Sequence, residues 1–264
     1  MTMTMPLHLV RIGTAGWTIP RLYAHQLPSA GSHLERYSRT LTCAEINSTF
    51  YRPSRASTWA RWAASVPSNF RFAVKAPKSI SHDAALDLTR ESTDTLASFL
   101  EQARLLGPKL GPILFQLPPK QVFDRVRASD FFTHLRALHA GPVVLEPRHA
   151  TWFSADADSL LVCHSIARAA ADPARIPEAA HPGGSTAIVY YRLHGSPRTY
   201  YSAYTDTYLE SLATTLVKAS AKSEAWVIFD NTASGAALGN ALTLTGALSR
   251  PAVFGLSSAR KEPP

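Results

Sequence analysis

The stretch GPVVLEPRH, residues 141–149, decides how the rest of the chain is read. Gly141 and Pro142 end a preceding helix and open a strand. Val143, Val144 and Leu145 are apolar, two of them β-branched, and the run then ends on Glu146, Arg148 and His149. Residues 155–163 follow with helical spacing. An apolar strand that ends in charge and feeds a helix is one βα unit. Side chains two apart on a strand share a face, so Glu146 and Arg148 point the same way.

Outward from this stretch the unit repeats. Similar runs occupy 9–17, 42–51, 70–77, 111–119, 165–173, 187–195 and 225–231, which with 141–149 makes eight. Between them lie helical patterns at 57–64, 93–106, 131–138, 155–163, 207–218 and 236–248. Strands alternating with helices imply parallel pairing. Eight units of about thirty residues predict one (β/α)8 barrel of TIM type, a single α/β domain over 1–264 with its core at about 9–250. A doubly wound open sheet usually carries a G-x-G-x-x-G turn, and the first turn, Gly13-Thr14-Ala15-Gly16-Trp17, lacks that spacing. Residues 175–185 read as a loop.

At 45% hydrophobic and 17% charged, the chain has the composition of an ordinary globular protein. Its formal charge of +8 and pI near 9.7 favour anionic partners. The basic residues are scattered, so no polybasic tail is expected. Two cysteines, Cys43 and Cys163, are too few for a disulfide framework and show no metal spacing, which makes the cytoplasm the expected compartment. The first residues lack the pattern of a signal peptide, and no apolar stretch is long enough to span a membrane, so no membrane partner is expected.

In such barrels the carboxyl ends of the strands build the site. Those ends carry Glu45 and Asn47, Lys75, Gln116, Glu146 with Arg148 and His149, Asp172, Arg192 with His194, and Asp230 with Asn231. In YYRLHG, Arg192 and His194 share a face as Glu146 and Arg148 do. If that face is the interior, all four point into one mouth. Buried charges need partners, so these residues could form an ion-pair layer of Glu146, Arg148 and Arg192, an anion site with acid/base groups, or both.

The ordered motifs GTAGW, AEINSTFY, FRFAVKAP, FQLPP, EPRH followed by WF, YRLHG, and FDN with a trailing G-x-A-x-x-N-A make the sequence recognisable. Together, from about residue 10 to 250, they resemble the domain-of-unknown-function 72 family. The resemblance implies a TIM-type barrel and brings Tyr51, Trp152 and Gly195 to the strand-end set. Two positions depart from the family pattern: Pro147, where a Phe or Val is usual, and Asp230, where an Asn is usual.

Three functions are expected from these residues. The first is a pocket for a small anionic or phosphorylated substrate, sugar-like or nucleotide-like, used by a hydrolase, isomerase or lyase without metal or other cofactor. Glu146, His194 and Glu45 would carry the acid/base chemistry. Lys75, Arg148 and Arg192 would hold the anion, helped by Asn47, Gln116, His149, Trp152, Tyr201 and Asn231. Tyr200, Tyr201 and Tyr204, after the seventh strand, would close over a sugar or base. The second is a divalent-metal nuclease or sugar isomerase similar to endonuclease IV-type barrels, with Glu146, Asp172, His194 and Asp230 as ligands. Three cations in the same mouth and the lack of H-E-x-x-H weigh against it. The third is non-enzymatic nucleic-acid binding through Arg52, Arg55, Arg61, Arg125 and Arg127. No G-x-S-x-G elbow or Walker loop is present.

Overall fold

Strands and helices alternate along the computed structural model, which describes residues 10–249. Leu9, Arg250 and the residues from which the lack of a signal peptide was read lie outside that range. The strands are β1 (Val10–Thr14), β2 (Cys43–Ile46), β3 (Arg71–Lys75), β4 (Leu110–Gln116), β5 (Val143–Glu146), β6 (Ile166–Arg168), β7 (Ala170–Asp172), β8 (Gly183–Gly184), β9 (Ile188–Leu193) and β10 (Glu224–Phe229). The helices are α1 (His33–Ser38), α2 (Ala56–Ala64), α3 (Arg90–Arg104), α4 (Arg125–Leu138), α5 (Ala155–Cys163), α6 (Asp206–Ser220) and α7 (Ala236–Ser249).

Side-chain caps set the starts of five helices. Ser32, Thr89, Ser154 and Thr205 each accept a backbone N–H of the first turn. Asp124 does so for α4, which therefore begins at Arg125 rather than at Phe131, where the apolar period starts. The expected loop at 175–185 contains a 3-10 turn, Pro177–Ala180, and the two-residue β8.

The strands pair in two sheets, of order β1-β10-β9-β7 and β2-β3-β4-β5-β6-β8. All pairs are parallel except β6 with β8. The fold is thus α/β with a mixed sheet, and its ladders do not run as the single closed sheet expected from the alternation. Two places account for this. The sixth run is split, its first half pairing with β5 and its second with β9, while the Ala169 amide between them donates to the Leu145 carbonyl at 2.8 Å. Between β1 and β2 there is only an isolated bridge, Ala15 with Glu45. Side chains supply much of the bonding there. The Ile12 amide donates to Thr42 Oγ1 at 3.0 Å, and Tyr37, reaching in from α1, accepts the Thr14 amide and donates to the Cys43 carbonyl.

Two apolar layers result. The larger lies between strands and helices and includes Phe72, Phe115, Phe131, Trp152 and Phe229. The smaller is drawn from both sheets: Cys43, Ala73, Leu114, Val144, Ala167 and Ala169 pack with Ile188, Tyr190, Trp226 and Ile228. Gly111 makes room for Trp226 in that layer, since a Cβ there would lie 2.5 Å from the indole. Among the described residues no helix is long and apolar enough to cross a membrane.

Candidate functional site

A step of two residues along each strand leads from the inner apolar layer to a charged one. Cys43 is followed by Glu45, Ala73 by Lys75, Leu114 by Gln116, Val144 by Glu146, Tyr190 by Arg192 and then His194, and Ile228 by Asp230. Strand periodicity alone puts these polar side chains over an apolar floor. Lateral register does the rest, pairing Gln116 with Glu146 and Ala15 with Glu45.

Arg192 is the centre of the layer and is fully buried. Its Nε donates to Glu45 Oε2 at 2.9 Å and its Nη2 to Glu45 Oε1 at 2.5 Å, the two-pronged arrangement that suits a guanidinium. Its Nη1 donates to Glu146 Oε2 at 2.9 Å, and Nη2 lies 3.2 Å from Asp230 Oδ2. His194 bridges the other two carboxylates, with Nε2 at 3.0 Å from Glu146 Oε1 and Nδ1 at 3.0 Å from Asp230 Oδ2. Gln116 Nε2 donates to both oxygens of Glu146 at 3.0 Å, and the Tyr190 hydroxyl donates to Glu45 Oε2 at 3.2 Å. Arg148 reaches Glu146 only at 3.4 Å, and its side chain stays 23% exposed.

These contacts decide the protonation states. Burial works to raise the Glu146 carboxyl, but Arg192, His194 and Arg148 outweigh it and hold the group well below the usual carboxylate range. Burial likewise opposes ionisation of Asp230 and is overcome by Arg192 and His194. For His194, burial favours the neutral ring, yet Glu146 and the hydrogen bonds to both carboxylates raise its pKa. An ionised carboxylate at each ring nitrogen favours N–H at both, which is the imidazolium form. Lys75 goes the other way. Burial, and then Arg192, push its ammonium down to about 8 against the pull of Glu45, Glu146 and Asp230. Its Nζ sits 4.0 Å from the centre of the Phe50 ring.

The remaining sequence-predicted residues lie elsewhere. Trp152 is core, its Nε1 donating to the Gln121 carbonyl and its ring edge-on to Phe123. His149 bonds locally to Thr151. Asn231 ties Ser202 to Asn240, and Asn47 precedes a short 3-10 turn, Ser48–Phe50, without a side-chain cap hydrogen bond. The amide oxygens of Asn47 and Asn231 are buried without a hydrogen-bond partner among the described residues. The three loop tyrosines separate. Tyr204 is buried, its hydroxyl bound to Asp172; Tyr200 meets His194 edge-on at 5.8 Å; Tyr201 is exposed under Arg198. Asp172 is therefore engaged with Tyr204 and stands outside the Arg192 network. Among the described residues no group of three or more His, Cys, Asp or Glu is arranged to hold a metal ion.

Three contributors went unread in the sequence. Tyr190 shares the parity of Arg192 and His194, a signal that was available. Phe50 falls within the AEINSTFY motif but in a turn past the strand, and His82 carries no signal. His82 sits in a π-helical turn, Ser79–Asp83, edge-on to Phe50. Burial and then Lys75, Arg148 and Lys78 lower its pKa, so positive charge gathers at this side of the layer.

The family model described as protein of unknown function DUF72 matches residues 11–263. The chain belongs to the DUF72 family. Among curated DUF72 relatives, the UPF0759 protein YecE of Escherichia coli K12 is 34% identical over 110 residues, covering 42% of this chain and 38% of the relative. The UPF0759 protein YunF of Bacillus subtilis 168 is 24% identical over 151 residues, covering 55% and 53%. The matches thus span less than two thirds of either relative. Solved DUF72 structures are similar along nearly the whole chain. A protein of Enterococcus faecalis V583 superposes with a TM-score of 0.76 at 20% identity, covering 92% of this chain and 96% of that one. One of Thermotoga maritima MSB8 gives 0.72 at 22% identity, covering 91% and 99%. At these identities the likeness concerns the DUF72 fold alone.

Proposed function

We propose that the two sheets form a single (β/α)8 barrel whose mouth binds a small anionic or phosphorylated substrate, with His194 and Glu146 handling protons and no metal required. Support for the barrel is the inner apolar layer drawn from both sheets and the hydrogen bonds that bridge β1 to β2 and β5 to the residue between β6 and β7. One observation carries the anion. Three carboxylates are committed to Arg192 and His194, while Lys75 and Arg148 are left with at most a long contact to Glu146, which already accepts from Gln116, Arg192 and His194. Cations with spare donors, Lys75 buried and Arg148 half-buried, attract an anion. Arg192 is better read as the structural keystone, because carboxylates occupy it on every side.

His194 then supplies a proton and Glu146 holds the ring in place, a general-acid arrangement. The cytoplasm is inferred as its compartment from the two unpaired thiols, Cys43 and Cys163. A thermal-shift screen of phosphate and of phosphorylated and carboxylated metabolites tests the site. Anions should stabilise the wild type by a few degrees and lose that effect in Arg148→Ala. Equal shifts in both proteins, or none with any anion, would contradict it.

A further inference from the structure

We infer that Lys75 is an amine nucleophile that condenses with the carbonyl group of an anionic aldehyde or ketone, forming an imine at the end of β3. This names a substrate class for the site proposed above and rests on that reading, with Arg148 holding the anionic group.

The placement of Lys75 is that of a reactive group on a rigid support. Its carbonyl accepts from Thr49 Oγ1 at 2.7 Å, and the following amide, Ala76, donates to the Leu114 carbonyl at 2.8 Å. The residue is 6% exposed, yet its Nζ has no hydrogen bond or ion pair among the described residues. Glu45, Glu146 and Asp230 act on it but are bonded to Arg192 and His194. What Lys75 does touch is an aromatic face. A lysine kept only to fix charge would be expected to take a carboxylate partner. An ammonium that is desolvated and set beside a guanidinium sheds its proton readily, and the neutral amine is the nucleophile.

The amine lies directly behind the wall of a cleft. Phe50 forms one wall of a cleft of about 560 Å³, lined also by Tyr51, Arg52, Pro77 and Lys78. That volume suits a metabolite. The ring lying over Lys75 Nζ is thus the wall between the amine and the cleft, so a carbonyl reaches the amine only past Phe50.

The step balances without another reactant. The nitrogen lone pair forms the C–N bond while the carbonyl oxygen gains one of the amine protons, giving a carbinolamine. The hydroxyl then leaves as water with the second amine proton as the C=N bond closes.

Pyridoxal phosphate, an aldehyde bearing a phosphate, tests this on the full chain. The protein is incubated with it, reduced with borohydride and mapped by peptide mass spectrometry, and inorganic phosphate binding is measured by calorimetry in parallel. We expect one dominant adduct, at Lys75. Labelling should rise with pH around a midpoint near 8, vanish in Lys75→Arg and slow at least tenfold in Arg148→Ala. Phosphate binding with labelling spread evenly over exposed lysines such as Lys78 and Lys120 would overturn the imine and leave the anion site standing. Loss of both would overturn the two readings together.

Discussion

His194 is held by a carboxylate at each ring nitrogen, and this has a measurable consequence. Its pKa is raised above the ordinary 6.5. The proton it gains on folding therefore stabilises the native state fully below pH 6.5, and that contribution is lost as pH rises through the folded value. Lys75 works oppositely, adding stability as pH rises from about 8 towards 10.5. Subtracting the stability of His194→Gln from that of the wild type cancels the lysine contribution. We predict that this difference, from urea titrations, shrinks steadily as pH rises above 6.5; a difference independent of pH would contradict the imidazolium. Most of this network was legible in the sequence, because Glu146, Arg192 and His194 follow strand parity. Which cation serves structure and which serves a ligand was not, since that depends on partners brought together across the fold.

The apolar runs mark the strands and the helical period marks α2 to α7, while the short α1, His33–Ser38, carries no such pattern. What the runs could not reveal is how β1 meets β2. Gly13 lies on that boundary, where an added Cβ would come within 2.0 Å of the Cys43 carbonyl oxygen. Backbone cannot give way cheaply, so the two strands would have to separate. Gly13→Ala should cost about 1–3 kcal/mol or more in chemical denaturation, in line with overpacking of a filled core. A variant as stable as the wild type would mean that β1 and β2 are not held edge to edge. The start of α4 shows a second limit of pattern reading. Arg125, Val126 and Arg127 form an exposed first turn with no apolar face to read, and Asp124 fixes the boundary through its cap.

At the scale of the whole molecule, the excess of +8 becomes specific only through the distribution of partners. Surface cations are mostly paired or solvated: Arg125 with Asp156, Arg127 with Asp87, Lys78 with Asp83. Such exposed pairs contribute about 0–1 kcal/mol each and mark no site. Inside, one buried guanidinium takes up three carboxylates and leaves Lys75, buried against Phe50, and the half-buried Arg148 without a close carboxylate partner. An anion is therefore expected at that mouth, and a divalent metal is disfavoured by the same charges. A crystal structure with sulfate soaked in at near-neutral pH tests this most directly. The account predicts a sulfate within hydrogen-bond distance of Arg148 and beside Lys75, with Arg192 still bound to Glu45 and Glu146; sulfate only at the outer surface, and none at Arg148, would contradict it.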